Sequence, residues 1–430
     1  MKIKIEKIIY PGKSLARQNG KIIFSDQGLP GEELDVEIIK ERKDYLEVLA
    51  NKVLTPSSHR IKPNCGHYKI CSTYQYIEYS QQILIKQQQL DEIFMRTLKD
   101  NKPLSIPIHA CENPWHYRNK IHLHIIREKC SSYYAYHQSK SHNKFIQIDN
   151  CFLGSEQINQ LLEKTLEIIN QNKICHLEEI IVRENRGKDQ LLLSVMGYSD
   201  SKKAFKSLKA LCVLKNTFPV RGITYINRKS RLENIVFGKN HIEDTIDLKK
   251  FSYGTDSFFQ INQKMLDHLI ADLKKTIPFD KKKSLADLYC GVGLFAIIFS
   301  DFVKDVLAVD SSAASSYFLK KNIRDNQISN IQTNQCDCEK WISCLGQNKT
   351  DILIIDPPRR GLTEIIINQL IKTPLEFIAY ISCDPVTLAR DLKKLLNTYT
   401  IIHASAYDFF PQTGHIETLV VLEKARGFKL

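Results

Sequence analysis

A cysteine between a predicted strand and a predicted helix is the residue best suited to covalent chemistry. The apolar run 377–381 predicts a buried strand, and residues 386–392 have helical spacing. Cys383 lies on the turn between them, where Asp384 can cap the helix. Because a helix N-terminus carries partial positive charge, we expect a lowered pKa for the Cys383 thiol, which favours the attacking thiolate. The alternative is a small buried hydrophobic residue, the usual role of a free cysteine.

Acidic residues stand at the ends of other predicted strands. Asp310 and Asp356 each close or follow an apolar run, and Glu417 opens the last strand-like run of the chain. A glutamate on a terminal strand is most often a solvated edge residue. Burial beside Phe409 and Phe410 would instead raise the pKa of Glu417 toward that of a useful base. For Asp356, which two prolines follow, the alternative is a plain loop residue.

The turn at residues 290–293 indicates a nucleotide-like cofactor. It contains Gly291 and Gly293 but no third glycine and no basic residue that would hold a phosphate. Asp310, about twenty residues on, is placed to accept the hydroxyls of a ribose, and Asp337 could accept an adenine amine. A cationic nucleoside without phosphates fits such an acidic crevice, and S-adenosylmethionine is one. A dinucleotide enzyme with a degenerate fingerprint stays as the alternative.

Composition narrows the class of protein. The 430 residues carry a formal charge of +13 with a pI of about 9.0, which favours an acidic partner such as nucleic acid. No apolar run has the length of a membrane span, and the first residues alternate charge with apolar side chains, unlike a signal peptide. We therefore expect a cytoplasmic protein without membrane contact. Its twelve cysteines are expected to be thiols or ligands and not disulfides.

The pattern along the chain predicts three domains. Residues 1–60 alternate in short strands and predict a small β-barrel, used for RNA binding or only as a docking module. Residues 61–250 predict a central α+β domain with an amphipathic helix over 77–98 and a hairpin around 185–188. Residues 251–430 alternate strands and helices, which predicts a doubly wound, mostly parallel sheet whose ligands bind at the carboxyl ends of its strands.

Two features of the central segment have open interpretations. Cys65, Cys71 and Cys151 could contribute to an iron–sulfur cluster, but such clusters normally use four thiolates and the obvious fourth position is Tyr74. We therefore predict no metal. The aromatic and basic residues at 115–120 lead a strand that we expect to pair with residues 133–137, and they suit either base stacking or a lysine-decorated edge strand.

Several long motifs occur together and in order. They are FFQ-x-N at 258–262, DLYCGVG at 287–293, DPPRRG at 356–361, SCDP-x-TLARD at 382–391 and HIET at 415–418. With the N-terminal barrel and the cysteine segment, they resemble the RNA uracil-C5 methyltransferases of the RumA/RlmD type, which methylate 23S ribosomal RNA. The resemblance covers essentially the whole chain. It implies a Rossmann-like class I methyltransferase domain, a TRAM-like N-terminal barrel and a central α+β domain.

The resemblance also implies roles for individual residues. Cys383 is the implied nucleophile and Glu417 the implied base. The residues implied around cofactor and base are Gln260, Tyr289, Asp310, Asp337 and Asp356. Three positions depart from the family pattern: Tyr74 replaces a cysteine of the family's [4Fe-4S] centre, Leu294 an asparagine, and Asp310 a glutamate. The departures put the cluster in doubt and leave room for rearranged cofactor contacts.

The chemistry expected from this resemblance is methyl transfer to C5 of a uridine. The thiolate of Cys383 adds to C6, C5 takes the methyl group, and Glu417 removes the C5 proton so that the thiol leaves. The expected partner is a looped or single-stranded part of ribosomal RNA, with the protein a monomer. The three alternative functions are an adenine amino-methyltransferase, a catalytically silent RNA-binding factor, and a transfer-RNA enzyme of the same chemistry. The N-terminal barrel argues against the transfer-RNA enzyme.

Overall fold

The structure is a computed structural model of the chain and describes residues 1–98, 104–129, 131–138, 144–199, 201–343, 345 and 349–425. The described residues before 60 form six strands: β1 (Lys2–Lys4), β2 (Lys7–Ile9), β3 (Lys13–Gln18), β4 (Lys21–Ser25), β5 (Glu33–Glu41) and β6 (Tyr45–Thr55). They pair in the order β1-β5-β6-β4-β3-β2, and β1 also contacts β3, so the sheet curls into a small barrel. Alternate apolar residues such as Ile3, Ile23 and Val36 fill its interior.

A helical segment joins the barrel to the rest of the protein. It contains α1 (Tyr68–Cys71), α2 (Tyr79–Thr97) and the short strand β7 (Ile108–His109). The helix predicted over 77–98 is confirmed as α2. Its buried Leu90 and Phe94 pack into the same core as the C-terminal sheet, while Gln89 Nε2 donates to Ile8 O of the barrel at 3.0 Å. α2 therefore contacts both the barrel and the C-terminal sheet.

The central segment forms a second sheet. Its elements are β8 (Lys120–Glu128), β9 (Ser131–His137), β10 (Phe145–Gln147), α3 (Glu156–Gln171), β11 (Leu177–Glu184), β12 (Leu191–Gly197), α4 (Ser201–Leu208), a 3-10 helix (Lys209–Asn216), β13 (Val220–Asn227) and β14 (Glu233–Gly238). Among the described residues the strand order is β10-β9-β8-β11-β12-β13-β14. The predicted pairing of 121–126 with 133–137 and the predicted hairpin are both confirmed, as β8–β9 and β11–β12.

The C-terminal segment begins with a two-stranded ribbon and then forms the third large sheet. Its elements are β15 (Ile242–Ile246), β16 (Lys249–Tyr253), α5 (Gln263–Thr276), β17 (Ser284–Leu288), α6 (Leu294–Phe299), a 3-10 helix (Ser300–Phe302), β18 (Asp305–Val309), α7 (Ala313–Asp325), β19 (Ile331–Asn334), α8 (Cys338–Ile342), β20 (Ile352–Ile355), α9 (Glu364–Lys372), β21 (Phe377–Ser382), α10 (Pro385–Leu395), β22 (Tyr399–Tyr407) and β23 (Glu417–Lys424).

The described strands of this sheet run in the order β19-β18-β17-β20-β21-β23-β22-β7. β17 to β21 are parallel to one another, whereas β23 is antiparallel to β21. The strands β17, β20 and β21 are buried throughout because helices cover both faces. The fold is the predicted Rossmann-like α/β class, with helices on both sides of a mostly parallel sheet.

One predicted helix begins later than its apolar pattern suggests. Phe258 and Ile261 continue the helical spacing of Met265 and Leu269, but α5 begins at Gln263 and the Phe258 side chain is 64% exposed. The loop before α5 stays non-helical because the buried guanidinium of Arg183 donates to the carbonyls of Ser257 and Phe259 at 2.8 and 3.0 Å. A tertiary contact thus replaces the first helical turn.

The ten cysteines among the described residues are free thiols, as the sequence predicts, and Cys130 and Cys344 lie outside those residues. No helix in the described part of the chain is long and apolar enough to cross a membrane.

Candidate active site

The strand ends of the C-terminal sheet bring the predicted nucleophile and the predicted base together. The antiparallel pairing of β21 with β23 extends to Ser382 opposite Thr418. Cys383 follows Ser382 and Glu417 precedes Thr418, so these two residues are next in register at one edge of the sheet. Asp356 follows β20, the parallel neighbour of β21, and reaches the same edge. Residues far apart in sequence meet here because of strand order.

The turn that carries Cys383 is fixed by a helix cap. Asp384 Oδ1 accepts hydrogen bonds from Val386 N at 2.9 Å and Thr387 N at 3.2 Å, and Pro385 is the first residue of α10. The cap predicted from sequence is confirmed. It holds Cys383, the predicted nucleophile, directly before the start of α10, in the position that the sequence suggested.

The lowered pKa expected for the Cys383 thiol is wrong for this structure. Burial raises the pKa of Cys383 to about 12, and the charges of Glu417 and Asp356 act in the same direction. Arg359 opposes them. The helix N-terminus is therefore outweighed by low polarity and two nearby carboxylates, and in the protein alone the thiol is protonated at neutral pH. Formation of the thiolate must depend on what binds in the site.

The two carboxyl groups of the site also hold their protons tightly. Glu417 is 3% exposed, and burial, followed by the charge of Asp356, raises its pKa well above the ordinary value. Burial raises the pKa of Asp356 to about 7. Because each carboxylate disfavours ionisation of the other, the pair loses its protons in coupled steps. The raised pKa of Glu417 agrees with the sequence prediction and suits a base that acts near neutral pH.

Two residues of the quoted motifs, Arg359 and His415, join the site although no role was predicted for them. Arg359 Nη2 lies 3.3 Å from His415 Nε2, and the positive charge of Arg359 favours the ionised forms of Cys383 and Glu417. Burial and Arg359 lower the pKa of His415 to about 4, so its imidazole is neutral. Since Nε2 faces a guanidinium, the proton sits on Nδ1, which has no partner among the described residues. The motifs DPPRRG and HIET, which contain Arg359 and His415, were the sequence signal that could have identified both residues.

The N-terminal barrel also reaches the site, a contact that no sequence pattern predicted. The hydroxyl of Tyr10 lies 3.4 Å from Cys383 O, and its raised pKa results first from burial and then from the charge of Asp384. The next turn packs on the loop before β23: a Cβ added at Gly414 would lie 1.9 Å from Pro11 O. Only glycine at 414 permits this approach, so the barrel closes one side of the active-site edge.

The glycine turn opens a crevice at the ends of β17 and β18. Gly291 has a φ of +55°, and the nearest atom to a Cβ added there, Phe258 O, is 4.0 Å away. Asp310 accepts from Gly291 N at 2.9 Å and from Ser312 N at 2.7 Å, one bond to each carboxylate oxygen. Each oxygen keeps a lone pair, so Asp310 remains able to accept two hydroxyl donors from a ligand.

Two further predicted residues lie near the ends of strands of the same sheet. Tyr289 occupies the left-handed region at φ +60° directly after β17, and burial raises its pKa, with smaller effects from Glu339 and Asp337 nearby. Asp337 precedes α8, but its carboxylate makes no cap hydrogen bond. Its oxygens are therefore available to a ligand donor.

Gln260 lies on the loop between β16 and α5. This loop is held by Arg183, whose fully buried guanidinium binds three of its carbonyls, including Gly254 O at 2.7 Å. Gln260 is 6% exposed, and its side-chain amide has no hydrogen-bond partner in the described part of the chain. An amide held by a rigid loop and left unpaired is suited to hydrogen-bonding a substrate or cofactor.

Comparison with known proteins identifies the family. The sequence profile of the tRNA (uracil-5-)-methyltransferases matches residues 78–425. The chain belongs to this family. An uncharacterized RNA methyltransferase of Fusobacterium nucleatum is 29% identical, over 99% of this chain and 96% of its own length. Another, from Halalkalibacterium halodurans, is 25% identical over 98% of this chain and 96% of its own length.

As a member of the uracil-5-methyltransferase family, the protein is an S-adenosylmethionine-dependent RNA methyltransferase. These strand ends fit this cofactor, because Gly291 leaves open space, Asp310 and Asp337 keep unused acceptors and no basic residue stands in the turn. Leu294, which replaces an asparagine of the family pattern, begins α6 and is 8% exposed among core residues.

A solved structure shows the same fold. The tRNA (uracil-54, C5)-methyltransferase of Pyrococcus abyssi, in complex with S-adenosyl-L-homocysteine, has a TM-score of 0.77 and 23% identity, covering 98% of this chain and 99% of its own. Because that match includes most of residues 1–60, an N-terminal barrel does not separate ribosomal-RNA from transfer-RNA enzymes. The barrel therefore gives no support to either RNA class.

The cysteine segment does not fit the [4Fe-4S] centre that the resemblance implies. Cys65 Sγ and Cys71 Sγ lie 3.8 and 3.6 Å from His67 Nδ1, but the position of a further cysteine is filled by Tyr74. Tyr74 is fully buried, and its hydroxyl accepts a hydrogen bond from Gln89 at 2.9 Å. No group of three or more metal-binding side chains in the described residues has the geometry of a metal site.

Proposed function

We propose that this enzyme methylates C5 of a uridine in 23S ribosomal RNA through a covalent bond between Cys383 and C6. The observation that carries this proposal is the register of β21 and β23, which sets Cys383 beside Glu417, with Asp356 and Arg359 close by. A thiol, a buried carboxyl and a cation are the groups that addition, proton removal and charge stabilisation require.

The thiol supplies the electrons that uracil lacks at C5. Cys383 loses its proton to water and its sulfur bonds to C6, so that the former C5–C6 double-bond electrons make C5 a carbon nucleophile. Arg359 stabilises the thiolate and the negative charge that develops on the ring. S-adenosylmethionine, when bound, supplies the methyl group as an electrophile on its sulfonium. Cys383 is regenerated when the C6–S bond breaks.

Glu417 completes the reaction in this proposal. Its carboxylate takes the C5 proton, and the electrons of that C–H bond re-form the C5–C6 double bond and expel the sulfur. Burial gives the carboxylate a high proton affinity, which matches this step better than an exposed glutamate with an ordinary pKa. The neutral His415 beside it offers an Nδ1–H donor to a uracil oxygen.

The acidic crevice would hold the cofactor. We propose that Asp310 accepts the two ribose hydroxyls, Asp337 the adenine amine, and that Tyr289 forms the wall between them. Asp356, at the strand end between crevice and nucleophile, would face the sulfonium, and Gln260 would hydrogen-bond the target base or the cofactor. These contacts use the unpaired oxygens and amide described above.

A stacked uridine could not reach this buried edge. The target must be splayed out of its helix, which favours loops and single strands, and the +13 charge would supply salt-dependent affinity. In this proposal residues 1–60 bind RNA, residues 61–250 support it, residues 251–430 transfer the methyl group, and the protein works as a monomer.

The covalent step is tested with RNA that contains 5-fluorouracil. Fluorine cannot be removed as a proton, so the enzyme and S-adenosylmethionine should form a stable protein–RNA complex visible on a denaturing gel, and the Cys383→Ala variant should form none. Ordinary RNA methylated at uracil by an enzyme that gives no complex with the fluorinated RNA would contradict thiol addition.

The class of RNA is tested by direct competition. The motif order that resembles the RumA/RlmD type supports ribosomal RNA, whereas the family profile and the Pyrococcus abyssi structure favour transfer RNA as the second candidate. Unmodified 23S and transfer-RNA transcripts at equal uridine concentration, with labelled cofactor, should give label in the 23S transcript. Label in the transfer RNA alone would show that transfer RNA is the substrate, and it would leave the proposed chemistry unchanged.

A further inference from the structure

One face of α10 contacts the loop that carries Arg359. Thr387, Arg390 and Asp391 share this face, because residues three and four positions apart lie on the same side of a helix. Cys383 lies directly before the same helix. The motif SCDP-x-TLARD at 382–391 therefore contains both the predicted nucleophile and a helix face that holds a neighbouring loop.

Thr387 and Arg390 hydrogen-bond the backbone of this loop. Thr387 Oγ1 donates to Arg359 O at 3.2 Å and shares that proton with Asp384 O of its own turn at 3.1 Å. Arg390 Nη2 donates to Arg360 O at 2.9 Å. Side-chain donors thus satisfy two successive loop carbonyls that belong to no helix or strand. The backbone at Arg359 is therefore held by α10.

Asp391 connects the loop to the strand that precedes Cys383. Its carboxylate is fully buried, and Oδ2 accepts from Leu362 N and from the hydroxyl of Tyr380, each at 2.8 Å. The other oxygen, Oδ1, accepts from Arg390 Nε at 2.8 Å, so the buried charge is paired. Tyr380 belongs to β21, which ends one residue before Cys383. The strand, the helix and the loop therefore meet at one carboxylate.

This junction bears on catalysis because Arg359 brings positive charge to the active site. Its guanidinium lies 3.3 Å from His415 Nε2, and its charge lowers the pKa of the Cys383 thiol, against burial and two carboxylates. The titratable or charged groups around the thiol are Glu417 of β23, Asp356 and Arg359 of the loop after β20, Tyr10 of the barrel, and His415. Movement of this loop away from α10 would therefore change the thiolate fraction of Cys383.

We propose that Asp391, together with Thr387 and Arg390, is a positioning residue that holds Arg359 beside Cys383. Asp391 is buried and acts through the loop. The helix that follows the nucleophile thus also fixes the cation, so that sulfur and guanidinium keep their separation when RNA and cofactor bind. This inference deepens the function proposed above, in which Cys383 is the nucleophile and Arg359 stabilises its thiolate.

The test measures how fast iodoacetamide alkylates Cys383 in the full-length protein, without RNA or cofactor. Peptide mass spectrometry distinguishes Cys383 from the other cysteines. Because the thiolate is the reactive form, Asp391→Asn should lower the rate about threefold to tenfold between about pH 7 and pH 10, since displacement of Arg359 raises the pKa of Cys383. The matched control is Asp325→Asn, which removes a carboxylate paired with Lys321 on α7 and should leave the rate unchanged.

A double variant decides whether Asp391 acts through Arg359. Arg359→Gln should lower the alkylation rate at least as much as Asp391→Asn does, because it removes the charge itself. Addition of Asp391→Asn to Arg359→Gln should then lower the rate no further. If the two effects multiply in the double variant, Asp391 acts by another route and the proposal is wrong.

Thr387 provides a test that leaves the buried carboxylate intact. Thr387→Val removes the donor to Arg359 O and should lower the alkylation rate about twofold to threefold, the smaller effect of one shared hydrogen bond. Thr387→Ser keeps the hydroxyl and should retain the wild-type rate. Equal rates for the valine and serine variants would refute the contribution of this hydrogen bond.

Methylation kinetics separate this inference from the proposed function. Asp391→Asn should lower kcat for uracil methylation with the KM for RNA unchanged, as expected of a residue that acts on the nucleophile. Wild-type alkylation rates in Asp391→Asn and Thr387→Val would overturn the positioning role and leave the proposed methylation intact. Failure of the proposed function would be seen differently, as uracil methylation that persists in Cys383→Ala.

Discussion

Cys383 and the pair Cys65 and Cys71 are thiols with different surroundings. Cys383 shares a strand edge with Glu417 and Asp356 and feels the positive charge of Arg359. Cys65 and Cys71 instead lie beside His67 and near Cys151, and Arg118 lowers the pKa of Cys71. Burial is the largest influence that raises the pKa in both groups. Burial is therefore common to both places, and the neighbouring acidic groups Glu417 and Asp356 distinguish the place suited to bond formation.

The largest effect is expected from removing the reactive sulfur. Cys383→Ala should lower uracil methylation about a thousandfold or more, because no other thiol lies in register with Glu417. Cys71→Ala, the matched change in the other thiol group, should leave the rate within about twofold. Transfer of labelled methyl groups to RNA measures both, and comparable losses in the two variants would contradict the distinction.

Replacing the proposed base, Glu417, should separate formation of the bond between Cys383 and C6 from its later breakage. Glu417→Gln should lower turnover about 10²–10⁴-fold, since proton removal from C5 is lost while addition of the Cys383 thiolate remains. A covalent protein–RNA complex should then accumulate on ordinary RNA and be visible on denaturing gels. Slow turnover without any such complex would mean that Glu417 acts before sulfur addition.

The coupled carboxyls predict the pH dependence. Because burial raises the pKa of Asp356 to about 7 and that of Glu417 above its usual value, the carboxyls are protonated in acid, and single-turnover methylation should rise as pH increases through about 7. In Asp356→Asn the loss of a neighbouring negative charge lowers the pKa of Glu417, so the rise should move to lower pH. Rates at saturating cofactor measure the shift, and an unmoved profile would show that the two carboxyls are uncoupled.

A smaller effect is expected at the contact from the barrel. Tyr10→Phe removes the hydroxyl beside Cys383 O and should lower kcat about threefold to tenfold, the loss of one hydrogen bond, with little change in the KM for RNA. Tyr45→Phe, the same change in the barrel away from the active site, should leave kcat unchanged. A rise in KM without a change in kcat would assign Tyr10 to RNA binding alone.

We expect the purified protein to contain no iron–sulfur cluster. Tyr74 occupies the position of a cluster cysteine and is buried with its hydroxyl bound by Gln89, so protein purified without oxygen should contain far less than one iron per chain. Elemental analysis together with sulfide determination checks this, and stoichiometric iron and sulfide would contradict it.

The sequence predicted the parts of the site that depend on local pattern and strand order. Strand ends at Asp310, Asp356 and Cys383 follow from apolar runs, and the cap at Asp384 from residue type. The pKa of Cys383 could not be predicted, because it depends on burial and on carboxylates brought close by distant strands. The same holds for Tyr10, which lies more than 370 residues from Cys383 in sequence.

The position of β23 has a consequence for synthesis of the protein. This strand follows β22 in sequence, yet it lies between β21 and β22 in the sheet and begins with Glu417. While a nascent chain is still emerging from the ribosome, β21 and β22 lack the neighbour that separates them. Insertion of β23 joins β21 to β22 and delivers the carboxylate in one event, so catalytic competence appears only after residues 417–424 have been synthesised.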